Sequence, residues 1–123
     1  SENRCEYCLG SHSAYLREIT GDPVLPDLIT HNYRRAALSE RERAIVDFAV
    51  KMTNESFKMS PDDLQPLRDL GLSDETILEI AQVGGMYNLT NRMANALVWT
   101  PKEEYYHQFR ESKKENESVE GGL

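Results

Sequence analysis

Asn3-Arg4-Cys5-Glu6-Tyr7-Cys8-Leu9-Gly10-Ser11-His12 stands at the head of the chain, and its reading decides the rest. Asn3 is a good helix cap, and Glu6 three residues on completes a capping-box pattern. The spacing therefore predicts a helix that runs to about Thr20 and is ended by Gly21. At about 100° per residue, Cys8 lies roughly 60° around that helix from Cys5, and His12 falls between them, one turn beyond Cys8. Leu9, Leu16 and Ile19 lie within about 40° of Cys5, so the two thiols and the imidazole are expected on an inward, apolar stripe.

That arrangement suits redox work. Cysteines at i and i+3 can close a disulfide within one helical turn, so that oxidation of one is resolved by the other. A helix N-terminus and a nearby imidazole both favour the reactive thiolate. His12 can take a proton from one sulfur and deliver it to a leaving oxygen. Cys5 is nearer the terminus and Cys8 nearer His12, so the residues alone leave open which sulfur attacks. Other uses of a Cys-x-x-Cys pair fit less well. A c-type haem site needs histidine directly after the second cysteine, where this chain has Leu9. A thioredoxin-like motif needs a preceding strand, and no period-2 pattern is present. A zinc module on Cys5, Cys8 and His12 lacks a matching fourth ligand, because His31 and His107 sit in no metal-binding motif. The bland alternative, two structural cysteines and a satisfied histidine, is disfavoured by the histidine falling in phase.

Outward from the motif, the punctuation is that of short helices. Asp22-Pro23 opens a segment in which Val24, Leu25, Leu28 and Ile29 fall at helical spacing. Ser39-Glu40-Arg41-Glu42 starts a helix carrying Ile45, Val46, Phe48, Ala49 and Met52. Ser60-Pro61-Asp62-Asp63 starts another, with Leu64, Leu67 and Leu70 before Gly71. Ser73-Asp74-Glu75 begins the longest, reaching to about Val98, with Gly84-Gly85 marking a kink or a close helix contact. A last helix is expected from Thr100-Pro101 through Tyr105, Tyr106 and Phe109. The sum is an all-α bundle of about six helices over residues 1–110, followed by a polar tail over 111–123.

Composition narrows the function. At 123 residues the chain holds one compact domain that needs no disulfide staple, so its two cysteines are available for chemistry. The formal net charge of −7 disfavours nucleic acid as a partner. No apolar run approaches the roughly 18 residues of a membrane span. Two cysteines and no signal-like stretch point to a reducing, cytoplasmic setting. The sequons at Asn54, Asn88 and Asn116 are read as chance. The chain opens at Ser1 rather than methionine, four residues before its motif, so N-terminal helices are expected to be missing and their face to be bare or covered by a second copy.

Asn3 to His12 resembles the active-site stretch of alkylhydroperoxidase D and of the carboxymuconolactone decarboxylase-like, peroxidase-related proteins. Leu38-Ser39-Glu40-Arg41-Glu42-Arg43-Ala44, Leu67-Arg68-Asp69-Leu70-Gly71-Leu72-Ser73-Asp74 and Tyr87-Asn88-Leu89-Thr90-Asn91-Arg92-Met93-Ala94 are similar to that peroxidase-related branch, and the likeness extends to about Tyr106. The resemblance implies an all-helical fold, homo-oligomers, and reduction of hydroperoxides at the expense of a dithiol reductant or reductase partner. It implies Cys8 as the attacking thiol, Cys5 as its resolving partner and His12 in the proton relay. No cofactor and no metal ion are expected. The family's relay also uses a glutamate about a dozen residues before the first cysteine, a position upstream of Ser1. General thiol-disulfide exchange without peroxide chemistry is the alternative enzyme reading. Tyr7, Asn88, Asn91 and Arg92 are read as structural, and Trp99, Tyr105, Tyr106 and Phe109 as core or interface residues. His31 and His107 are given no role.

Overall fold

The structure is a computed structural model that describes residues 2–111. The expected tail over 111–123 thus lies, beyond its first residue, outside the described residues, as does the sequon at Asn116. The fold is all-α, with six α-helices and no strand among the described residues: α1 Glu6–Thr20, α2 Leu25–Asn32, α3 Glu40–Glu55, α4 Pro61–Asp69, α5 Asp74–Ala96 and α6 Glu104–His107. Two single 3₁₀ turns, Tyr33–Arg35 and Ser56–Lys58, follow α2 and α3. The helices form two compact units, one of residues 3–37 with 94–111 and the other of Leu38–Met93.

In the first unit, α1 begins two residues later than a cap at Asn3 would start it. The cap is Cys5 itself, in extended conformation, whose Sγ accepts from the Cys8 N–H at 3.2 Å. Gly21 ends α1 as expected, at φ 67°, its N–H returning to the Arg17 carbonyl at 2.9 Å. This left-handed position suits glycine, which has no Cβ to collide with the chain. Asp22 Oδ1 then accepts from the N–H groups of Val24 and Leu25, starting α2.

Helix α6 is a single turn, shorter than its sequence suggested. The Arg17 guanidinium donates to the carbonyls of Tyr105 at 2.5 Å and Gln108 at 2.8 Å. The Tyr105 carbonyl is the acceptor a longer helix would offer to the Phe109 N–H, and Phe109 has left helical geometry at φ 57°. A buried arginine thus takes over carbonyls at the helix C-terminus.

In the second unit, α3 carries the anticipated capping box. Ser39 Oγ accepts from the Glu42 N–H at 3.2 Å, and Glu42 Oε2 accepts from the Ser39 N–H at 2.8 Å. These bonds favour the ionised carboxyl and hold Glu42 below its ordinary pKa. At the start of α4, Asp63 accepts from the Ser60 N–H and pairs with Lys51 of α3 at 2.8 Å. Phe48, Leu67, Leu72 and Ile77 form the buried core, flanked by Ile45, Met52 and Leu64. Helix α5 runs unbroken through Gly84-Gly85, and of the pair Gly84 alone sits at a close approach. A Cβ at Gly84 would lie 2.5 Å from Met52 Cε, whereas at Gly85 it would meet nothing within 4 Å.

Candidate active site

Cys5 and Cys8 are joined by a disulfide, with their Cα atoms 5.2 Å apart. Cys5 is only 2% exposed, while Cys8 is partly exposed. The difference follows from position: Cys5 caps the helix from beneath, and Cys8 lies one turn along on its flank. His12 is exposed, one turn beyond Cys8 on the same side of α1 by helical phase. Tyr7, between the cysteines, packs edge-on against Trp99 with ring centres 5.8 Å apart, the structural role expected of it.

The inward face of α1 is not the expected one. Gly10, Ala14 and Arg17 are its buried residues, whereas Leu9 and Leu16 are half-buried and Ile19 is 58% exposed. The reason is steric. A Cβ on Gly10 would lie 2.8 Å from Pro101 Cβ and 3.7 Å from the Tyr106 ring, so the missing side chain is what admits the Pro101–Tyr106 segment. Of the three large aliphatic side chains in line with Cys5, Ile19 is the one left exposed.

This packing yields a prediction. Gly10→Ala forces Cβ into a rigid proline ring and is expected to destabilise by about 1–3 kcal/mol despite alanine's better helix propensity. Gly85→Ala, with open space around it, is expected to stabilise by about 0.5–1 kcal/mol. Urea unfolding of the two variants checks this, and a Gly10→Ala variant as stable as Gly85→Ala would refute the close approach.

Sequence reasoning gave no role to Arg17, Asp27 or Arg110, and read Glu6 only as a cap and Tyr106 only as a core or interface residue. Glu6 lies 3.5 Å from the Tyr106 hydroxyl, and burial together with the nearby Glu6 carboxylate pushes the Tyr106 phenol up. Arg17 is 2% exposed, and Arg110 donates to Asp27 at 2.7 Å. With Arg4 and Leu9 they border a cleft of about 420 Å³. The available signal was the in-phase set Gly10, Ala14, Arg17, which a search for large apolar residues overlooks.

Of the remaining candidates, His31 also lines this cleft and the others lie outside it. Arg92 Nη1 donates to the Asn88 carbonyl at 3.0 Å, and Asn91 Oδ1 is buried without a hydrogen-bond partner among the described residues. His31 Nδ1 is 2.6 Å from the Asp27 carbonyl, and His107 lies 3.6 Å from Glu103. Among the described residues no group of three His, Cys, Asp or Glu side chains is placed to hold a metal ion, and no helix is long and apolar enough to cross a membrane.

A helical fold with a disulfide-bonded Cys-x-x-Cys turn at the start of a helix defines the class: the fold is alkylhydroperoxidase D-like, and its neighbours among solved structures are peroxidase-related proteins. The chain is similar to the alkylhydroperoxidase AhpD core of an uncharacterized peroxidase-related protein from Ralstonia eutropha, at 35% identity and a TM-score of 0.85 over 90% of this chain and 58% of that one. It is also similar to an uncharacterized peroxidase-related protein from a Silicibacter species, at 44% identity and a TM-score of 0.85 over 88% of this chain and 56% of that one. The chain thus spans somewhat more than half the length of these neighbours. No protein-family model matches it, and neither does any curated protein.

Proposed function

We propose that the chain carries the dithiol centre of a thiol-dependent hydroperoxide reductase. The observation that carries this reading is the disulfide between a buried helix-capping cysteine and a more accessible one, with a histidine one turn further on. A hydroperoxide has to reach sulfur, and exposure favours Cys8 as the attacking thiolate. Its attack on the distal peroxide oxygen breaks the O–O bond, leaving Cys8 as a sulfenic acid and releasing an alkoxide that takes a proton to become the alcohol. His12 supplies that proton. Cys5 then attacks the Cys8 sulfur, water leaves, and the disulfide forms. A dithiol reductant attacks Cys8 in turn, and Cys5 leaves as a thiolate whose charge falls on the Cys8 N–H and the helix N-terminus. Two electrons pass from reductant to peroxide in each cycle.

The names of the neighbouring structures support a peroxide substrate. Within this reading the protein works as a homo-oligomer in the reducing cytoplasm, alongside a dithiol reductant or reductase, without nucleic acid, membrane, cofactor or metal. The test is peroxide consumption with a supplied dithiol, measured on the 123-residue chain and on the longest reading frame that encodes it. Reductant-dependent loss of an alkyl hydroperoxide is expected. Disulfide exchange with no peroxide loss from either protein would replace this reading with that of a general thiol-disulfide oxidoreductase.

A further inference from the structure

We infer that the cleft between α1, α2 and α6 is a binding site for an amphipathic carboxylate, seated with its carboxylate at Arg17, its apolar body against Leu9, Tyr105 and Tyr106, and Arg4 as a further positive charge at the rim. Nothing in the redox reading needs this cleft. Its α1 residues Glu6, Leu9, Gly10, Ser13 and Arg17 lie roughly 40° to 140° around the helix from Cys5, on the side away from Cys8 and His12.

The argument begins with Arg17. Its side chain is almost wholly buried, yet among the described residues no carboxylate oxygen comes within 4.0 Å of it. Its Nε and one Nη2 hydrogen are spent on the Gln108 and Tyr105 carbonyls, and Nη1 has no partner among the described residues. Backbone carbonyls satisfy donors but do not neutralise a charge, and a buried charge without a counter-ion is costly. The nearby carboxylate, Asp27, is engaged by Arg110. Burial and the repulsion of Arg110 accordingly outweigh the attraction of Asp27 and push the Arg17 pKa down. Arg17 thus has no ion pair of its own among the described residues.

Arg4 stands at the rim. Its backbone is at φ 49°, a left-handed conformation uncommon for a residue other than glycine or asparagine, and its guanidinium makes no ion pair with the other described residues. Such strain is often found at ligand clamps. The cleft has three arginines, Arg4, Arg17 and Arg110, against Glu6 and Asp27, so it is locally positive in a chain of net charge −7. Its volume, about 420 Å³, falls within the usual range for small organic ligands. The paired donors of a guanidinium match a planar carboxylate, and the aromatic and aliphatic walls suit an apolar body more than a hydrated phosphate.

The test uses octanoate as probe, with 1-octanol and inorganic phosphate as controls, titrated into the full chain and followed by calorimetry and by amide NMR shifts. Saturable one-to-one binding of octanoate is expected, with shifts at Gly10, Ser13 and Thr30, and binding of both controls at least about tenfold weaker, as expected when a charge-assisted pair is missing. Arg4→Gln is expected to weaken octanoate about two- to fivefold, the range for an exposed charge pair. Arg17→Lys keeps the charge but loses the fork, and a loss of about tenfold or more is expected. If that variant unfolds, Arg4→Gln and the two controls decide. Equal binding of octanoate and 1-octanol, shifts confined to other helices, or no saturation by about 10 mM would overturn the assignment. None of these readouts depends on peroxide turnover, so the two proposals fail separately.

Discussion

Cys8→Ser is expected to abolish peroxide reduction, because serine at neutral pH is a far weaker nucleophile than a thiolate. Cys5→Ser is expected to behave differently. It should consume one peroxide per chain and stop, leaving Cys8 as a sulfenic acid with no neighbouring thiol to close the disulfide. A dimedone-type probe followed by mass spectrometry should label Cys8 in that variant. His12→Ala should slow peroxide consumption on the order of 10²-fold or more, the usual range for losing a positioned acid-base group. The competing assignment rests on the helix terminus. Cys5 sits at the cap, where its thiolate is best stabilised. The burial of Cys5 argues against it, because a peroxide must make contact before charge stabilisation matters. Labelling of Cys5 in Cys8→Ser, with one peroxide still consumed, would reverse the roles.

Leu67→Ala is expected to cost about 2–5 kcal/mol, lowering the Tm by about 10–20 °C in a chain of this size. Leu67 is 1% exposed and packs with Phe48, Leu72 and Ile77, so truncation leaves a cavity that three helices would have to close. Leu78→Ala is the matched control. Leu78 is 58% exposed on α5, and its truncation should change stability by no more than about 0.5 kcal/mol. Thermal and urea unfolding check both. A Leu67→Ala variant as stable as Leu78→Ala would mean that this cluster does not hold α3, α4 and α5 together.

What the chain specifies locally was legible in the residues alone. Ser39 with Glu42, Ser60 with Asp63, and Gly21 are short-range signals whose partners lie within four residues, so sequence spacing is spatial spacing, and the helix starts and stops followed from them. The pairing of Cys5 with Cys8 is of the same kind, because one helical turn brings the sulfurs together whatever surrounds them. The cap itself was misplaced by two residues, since the Cys5 sulfur accepts the Cys8 N–H and starts the helix after it.

Long-range packing decided the rest. Which face of α1 turns inward depends on what approaches it, and Gly10 admits Pro101 and Tyr106 from some ninety residues away. Hydrophobic periodicity weighs large side chains and is blind to a face chosen by the absence of one. Arg17 was invisible for a related reason. A buried guanidinium reads as a surface charge until the carbonyls of Tyr105 and Gln108 are brought to it. The same two bonds take up carbonyls at the C-terminal end of α6, and they leave the guanidinium without an ion pair of its own among the described residues. Tertiary structure decides these features because burial and charge compensation are properties of an environment, and the environment of α1 is built from the far end of the chain.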